Sequence, residues 1–310
     1  MSNKVTGRKR MGPQERKEAR AAWLMMTPAL VLLTVFLVTP FLLAFGLSFT
    51  DQRLIPNPNL PTQFIGLRNF IRLLTDSTFH RALVNNFTFT IVVVPVQTAL
   101  ALCLAMLVNL RLKGTNIFRT IYFSPVVITM VVVSIVWYLL YNPDQGFINQ
   151  ALKAVTFGNW PDVRWLHSTF WALPAIMFLS IWQGVGFQMI IFLAGLQDIP
   201  RELYEASNVD GATAWQKFRN ITLPQLRNTT LFVVISTTIL SFKLFHQVWV
   251  MTKGGPQEST MTTVVMMYRE GFRQGRIGYA AAIAVVFFLI VLGISMIQRS
   301  ILKEERTVNR

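Results

Sequence analysis

The chain has 310 residues, 53% of them hydrophobic and only 14% charged, with a formal net charge of +15. A soluble domain of this length carries about 25% charged residues. Here the missing charge is replaced by apolar blocks of about 20 residues, the length that crosses roughly 30 Å of hydrocarbon as a helix, which excludes an ordinary soluble domain and implies an all-α integral membrane protein.

In chain order, residues 1–21 form a basic tail with Lys4, Arg8, Lys9, Arg10, Arg16, Lys17 and Arg20. Residues 22–50 hold the first transmembrane helix. Its apolar run is too long for a cleavable signal peptide and no small-residue cleavage site follows cleanly, so it reads as an uncleaved anchor. Residues 51–80 are a polar linker, too short for a large extra domain. Residues 81–301 hold five further spans and a polar loop over 198–224, and residues 302–310 form a second tail. The six spans are predicted at Leu24–Leu47, Leu83–Val108, Ile117–Tyr141, Phe170–Ala194, Thr229–Met251 and Tyr279–Gln298. Pro40, Pro95, Pro125 and Pro174 fall inside four of them, where neighbouring helices can re-satisfy the freed carbonyls. Trp23, Trp137, Tyr138 and Tyr141 fit an aromatic belt.

Orientation follows from Lys and Arg. Of 29 such residues, 18 fall on the side of the first tail and 10 on the other, with Lys243 inside a span. Both termini and the loop 198–224 are therefore expected in the cytoplasm. The basic excess is topology signal and contact with anionic membrane lipid. No nucleic-acid motif accompanies it, so no nucleic-acid partner is expected. The single cysteine, Cys103, lies within a span and can form no internal disulfide.

The three histidines, His80, His167 and His246, are far apart, and neither a metal motif nor GxSxG nor a GxxxxGK[ST] loop occurs. No catalytic residue, metal site or cofactor is expected in this chain, and ATP-derived energy would have to come from another chain. A transporter subunit or a channel is the simplest reading.

The loop 198–224 is the most informative stretch. Asp198 and Pro200 sit where a helix would start, and Arg201 to Asp210 reads as a short helix. Gly211 ends it by supplying a left-handed turn. Thr213 and Gln216 have capping-box spacing for a second helix, Ala214 to Asn220. Leu203, Tyr204 and Val209 are apolar among charged neighbours, a face that suits either a partner groove or a lipid surface.

Glu205-Ala206-Ser207, Gly211 and Ile221-x-Leu223-Pro224 resemble the "EAA" motif of ABC-importer permeases, departing from it at Ser207, where the motif has a second alanine. "FIGLRNF" (Phe64–Phe70), "FRTIYFSPVVI" (Phe118–Ile128), "NPDQGFIN" (Asn142–Asn149), "FLAGLQDIPRELYEA" (Phe192–Ala206) and "VMTKGGP" (Val250–Pro256) resemble the carbohydrate-uptake branch, the group similar to maltose and glycerol-3-phosphate permeases. The likeness is to the first of that branch's two unlike permease subunits.

The resemblance implies a type I importer bundle of six transmembrane helices with a cytoplasmic coupling helix, in a bacterial inner membrane. It implies as partners a second, unlike permease, an ATPase dimer that carries ATP and Mg, and an extracytoplasmic substrate-binding protein met near Gly254-Gly255-Pro256. Coupling to the ATPase falls on Glu205, Ala206, Ser207, Gly211, Ile221, Leu223 and Pro224, with Glu205 as anchoring acid and Gly211 as pivot. The solute implied is a sugar, a related polyol or a glycerol phosphate. The alternative function is a stand-alone secondary transporter or channel, which has no use for an ATPase-docking helix.

Polar side chains inside spans usually face the bundle interior or a water-filled cavity. One cluster comprises Ser180, Trp182, Gln183 and Gln188, and another Thr237, Ser241, Lys243, His246 and Gln247. Alignment to maltose-type members places their sugar-contact positions on Ser180, Gln183, Gly184, Phe187, Thr237, Leu240, Ser241 and Leu244. Several differ in residue type, which implies a different sugar. The competing reading for each is helix–helix packing, which Leu240 and Leu244 fit better.

Overall fold

The computed structural model describes residues 12–55, 61–110 and 114–302. Most of the first tail and residues 303–310 of the second lie outside these. Among the described residues five helices are long and apolar enough to cross a membrane, and one bent helix pair passes the same test when its two halves are taken together.

The first span joins α1 (Pro13–Leu33), a wide π turn at Thr34–Val38, and α2 (Thr39–Leu47). The helix starts at Pro13, so the end of the predicted basic tail continues the first span. The π turn lies just before Pro40, whose ring would clash with the carbonyl four residues back in a regular helix. The linker is not wholly irregular: it holds α3 (Arg68–Thr75), an amphipathic helix with Asn69 and Leu73 buried.

The second span is α4 (Ser77–Asn109), started by Asp76, whose carboxylate accepts from the N–H groups of Thr78 and Phe79 at 2.9 and 3.3 Å. The predicted span Ile117–Tyr141 is not one straight helix. It is α5 (Thr115–Val127) and α6 (Met130–Leu140), bent by 97° where Ile128 and Thr129 become extended. Pro125 stands two residues before the end of α5, which weakens the ladder there. After α7 (Phe147–Val155) comes α8 (Ala172–Gln197). Pro174 falls in its first turn, where a missing N–H costs nothing, and does not kink it. The loop carries α9 (Arg201–Val209), α10 (Ala214–Lys217) and α11 (Leu223–Gln225). The fifth span is interrupted: α12 (Arg227–Phe242) and α13 (His246–Met251) are separated by three residues. A short α14 (Thr263–Tyr268) precedes the last span, α15 (Ile277–Leu302).

The core follows from one stripe on α4. Phe79, Ala82, Asn86, Phe89, Val93, Gln97, Ala101, Ala105 and Val108 are all buried, three or four residues apart along one helix face. α8 lies along this stripe. Around Ala101 and Ala105 the packing partners are Met189, Phe192, Leu226 and Val233. Small residues allow close approach: a Cβ on Gly186 would sit 2.0 Å from the Tyr122 carbonyl oxygen of α5. The first span stays outside this core. None of its apolar stretch is buried, and it meets the bundle through contacts such as Phe41 on Phe288 of α15, ring centroids 5.0 Å apart.

Candidate functional site

The loop between α8 and α12 adopts the predicted helix–turn–helix, with shorter helices. Asp198 closes α8 instead of opening α9, its N–H donating to the Ala194 carbonyl at 3.1 Å. α9 stops at Val209, and its end is a Schellman motif. The Ala212 N–H reaches the Ser207 carbonyl at 2.9 Å and the Gly211 N–H reaches the Asn208 carbonyl at 3.2 Å. Gly211 has φ +70°, the left-handed region that side chains with a Cβ resist, and nothing lies within 4 Å of where its Cβ would be. Thr213 and Gln216 form the predicted capping box, with bonds of 2.7 Å from the Thr213 N–H and 3.3 Å from the Gln216 N–H. α10 is only one turn long and runs into a π turn at Phe218–Thr222.

The two arms are tied together. Tyr204 and Thr222 share a hydroxyl–hydroxyl bond of 2.9 Å, and the Lys217 ammonium donates to the Asn208 side chain. Tyr204 therefore does not belong to the exposed apolar face expected of it; it packs with Ile221 against the core around Phe192 and Leu226. Leu203 stays open, and Val209 is 89% exposed. Trp215, not foreseen, is 66% exposed with its ring 5.5 Å from that of Phe218. Among the motif residues, Glu205, Ala206 and Pro224 are exposed, Ile221 is half-buried, and the Ser207 hydroxyl donates to the Tyr204 carbonyl at 2.8 Å. The structure thus presents an acid, a small residue and three apolar side chains on a tied, glycine-hinged projection. Beside it a cleft of about 510 Å³ is lined by Asn109, Arg119, Arg201 and Tyr204, among others.

The intramembrane polar residues divide into two sets. Ser180, Gly184 and Gln188 are four residues apart on α8 and share a face toward its neighbours. Ser180 accepts from the Gln247 amide at 3.1 Å and donates to the Ile176 carbonyl at 2.7 Å. Gln188 donates to the Thr237 hydroxyl, which itself donates to the Val233 carbonyl at 2.6 Å. A Cβ at Gly184 would fall 2.5 Å from the Gln97 side-chain nitrogen, so glycine there lets a buried glutamine of α4 lie against α8. Ser241 and Leu244 are also buried.

The second set is open. Phe187 is 49% and Leu240 63% exposed. Gln183 is partly exposed and donates weakly, at 3.5 Å, to the Pro125 carbonyl beside the α5–α6 break. Trp182 is exposed on the same helix, its ring 5.4 Å from Trp137. Lys243 lies in the interruption of the fifth span and His246 directly follows it; both are exposed. Of the polar clusters, then, Ser180 is bonded to Gln247 and Gln188 to Thr237 between helices, while Gln183 lies apart from them with the open Phe187 and Leu240.

Asn86 was not singled out in the sequence. It is fully buried, donates to the Phe242 carbonyl at 3.1 Å, and accepts from the Thr263 N–H and hydroxyl at 2.9 and 3.0 Å. One side chain thus holds the end of α12 and the start of α14 to α4. The signal available was a polar residue recurring on the α4 stripe. The loop with Gly254-Gly255-Pro256 folds back over the start of α4: Asn85 donates to the carbonyls of Glu258 and Met261 at 3.0 and 2.9 Å. Lys253 and Gln257 are its exposed positions. No group of three or more His, Cys, Asp or Glu suited to a metal occurs among the described residues.

Residues 21–304 match the family "Binding-protein-dependent transport system inner membrane component". The lactose transport system permease protein LacF of Rhizobium radiobacter is 36% identical over 280 residues, covering 89% of this chain and 92% of that protein. The trehalose/maltose transport system permease protein MalF of Thermococcus litoralis is 32% identical, covering 91% and 93%. The probable ABC transporter permease protein YurN of Bacillus subtilis is 33% identical, covering 91% and 95%. The fold is similar to that of a chain in the crystal structure of a bacterial ABC transporter that imports the acidic polysaccharide alginate, with a TM-score of 0.80, 23% identity, and coverage of 94% of this chain and 98% of that one.

Proposed function

The chain belongs to the family of binding-protein-dependent transport system inner membrane components, and from that premise we propose that it is one of two unlike permease subunits of an ATP-driven importer for a sugar or a related polyol or glycerol phosphate. The named relatives that transport lactose and trehalose or maltose support the solute class. Both termini and the loop 198–224 face the cytoplasm, as the distribution of Lys and Arg supports. ATP and Mg sit on a separate ATPase dimer, and a substrate-binding protein delivers solute from outside, near Lys253 to Gln257.

The observation that carries this reading is the tied projection at Glu205–Pro224. Glu205, Ala206, Leu203, Val209 and Trp215 seat in the ATPase, with the acid anchoring a cationic or N–H donor there. Gly211 sets the angle between the arms, while Ser207, Ile221, Leu223 and Pro224 connect the projection to the bundle. Closure of the ATPase on ATP moves the loop, and rigid-body rocking of the bundle exposes the pathway to alternate sides. The coupling is reciprocal: a conformation that favours ATP closure is itself favoured by it.

Solute contacts the open set, Gln183, Phe187 and Leu240, with Trp182 adding an aromatic surface for the apolar face of a sugar ring. Ser180, Gly184, Thr237, Ser241 and Leu244 hold the helices that carry this surface.

The test is transport and ATPase association by Glu205→Ala in reconstituted complexes. Uptake and capture of the ATPase should fall with membrane insertion intact, and unchanged uptake sinks the coupling role. For the solute surface, Gln183→Leu should alter substrate-stimulated ATPase activity while basal turnover stays. Unchanged substrate preference places the contacts elsewhere.

A further inference from the structure

At the end of the molecule opposite the coupling loop lies a second cleft, of about 580 Å³, lined by Arg53, Arg68, Arg72, Arg276, Asp51 and Tyr279, among others. Four arginines line this cleft, on the side where Lys and Arg are scarce, so topology signal does not explain the concentration. The one carboxylate lining it, Asp51, accepts from the Gln63 N–H at 2.7 Å. Arg276 pairs with the buried Glu270 at 2.5 Å. Arg53, Arg68 and Arg72 form no ion pair among the described residues.

The depth of the cleft is fixed by its walls. Asn69 of α3 donates to the carbonyls of Ser48 and Thr50, at 2.9 and 2.8 Å, just beyond the end of the first span. The Arg72 guanidinium lies 4.4 Å over the ring of Tyr279, in the first turn of the last span. Tyr279 donates to the Asp76 carboxylate at 2.6 Å, and Asp76 caps the second span. The start or end of three spans therefore sets α3 at the membrane–water boundary. Beside Arg68 and Arg72, the large apolar side chains of Phe64, Leu67, Ile71 and Leu74 are exposed. Charge in the cleft and hydrocarbon on the adjoining surface is the pattern of an interfacial helix.

We propose that this cleft binds the phosphate of an anionic phospholipid, with Arg53, Arg68 and Arg72 on the headgroup and the apolar residues of α3 against its acyl chains. A guanidinium fork matches phosphate oxygens in pairs, which an ammonium does not. An acidic protein surface would match the charge alone and leave the exposed apolar residues unexplained. The inference rests on membrane placement and is independent of the coupling and solute readings.

The experiment is native mass spectrometry of the full chain in detergent, titrated with phosphatidylglycerol and, separately, phosphatidylcholine. Wild type should retain phosphatidylglycerol preferentially. Arg68→Gln with Arg72→Gln should weaken retention by about 25-fold, roughly fivefold per arginine near a lipid surface. Because Arg72 touches Tyr279, Arg53→Gln with Arg68→Gln is the second variant, exposed at both positions and expected to give a similar loss. Arg68→Lys should lose part of the binding despite its charge, and Arg164→Gln, on a different external segment, none. Equal retention of both lipids, or of phosphatidylglycerol by all variants, overturns the proposal. So does displacement of the lipid by an equal concentration of inorganic phosphate, which would make the cleft a free-phosphate site. A loss confined to capture of the substrate-binding protein, with lipid retention intact, would make it a protein-docking surface and equally overturn it.

Discussion

Replacing Gly211 isolates the hinge of the proposed coupling loop from its contacts. No atom lies within 4 Å of a Cβ added there, so Gly211→Ala introduces no clash beyond its own backbone. What remains is the left-handed conformation at φ +70°, which costs an L residue roughly 1–2 kcal/mol. A loop that relaxes from this turn must regain it on docking, so affinity for the ATPase should fall by that strain, about 5- to 30-fold. Asparagine tolerates the conformation better than alanine, and Gly211→Asn should stay near wild type. Gly211→Pro should be worst, since proline fixes φ near −65° and removes the N–H that bonds Asn208. The assay is equilibrium binding of the ATPase subunit to the purified permease pair, with solute uptake alongside. The order glycine, asparagine, alanine, proline is required. Alanine within twofold of wild type, or asparagine as damaging as proline, refutes the argument from backbone strain.

Asn86→Leu should destabilise the bundle by about 2–4 kcal/mol, since cross-helix bonds in membranes contribute about 0.6–1.7 kcal/mol each and the Phe242 carbonyl and Thr263 N–H are left unpaired; denaturant unfolding followed by tryptophan fluorescence reads the loss. Gly186→Ala should force α5 from α8, because the new Cβ would meet the Tyr122 carbonyl at 2.0 Å, with a loss of about 1–3 kcal/mol typical of overpacking and visible as a lowered Tm. Burial raises the Glu270 carboxyl above its ordinary value of 4.5, against the opposing charges of Arg276 and Arg269. The folded protein therefore holds this proton more tightly than the unfolded chain, and the contribution to stability is present below about 4.5 and lost as pH rises through the raised value. Glu270→Gln should remove that component, measured as the difference in unfolding free energy between the two proteins across the acid range.

Much of this architecture was legible because membrane burial leaves a coarse signal. Long apolar runs marked the spans, and glycine with capping-box spacing marked both arms of the loop. The interruptions were harder to read. Pro125 was visible, but a 97° bend depends on Ile128 and Thr129 becoming extended, and the same residue type in α4, Pro95, sits within a continuous helix. The break after Phe242 carries no proline or glycine; its end carbonyl is taken by Asn86, a partner more than 150 residues away in sequence. Tyr204 was misplaced for a similar reason. Its position among charged neighbours suggested exposure, whereas the bond to Thr222 and the packing on Ile221 draw it inward.

The candidate substrate residues show where sequence spacing stops being informative. Ser180 and Gln183 belong to one polar cluster on one helix and lie only about 60° apart around it, yet Ser180 is buried and Gln183 is partly exposed. Ser180, Gly184 and Gln188 repeat at four and stay on the face that α4, α12 and α13 cover, whereas Gln183 and Phe187 precede two of them by one position and lie about 100° away. A hydroxyl facing another helix finds its bond inside the subunit, as Thr237 does with Val233 and Gln188. It then has little capacity left for a solute. The open residues of α8 and α12 have the opposite character: an amide, aromatic rings and a leucine, with few internal polar partners. Such a surface binds weakly by hydrogen bonding and offers broad apolar contact. On the proposed reading, that suits a corridor through which a hydroxyl-rich solute must pass without being retained, with tight selection left to the protein that delivers the solute.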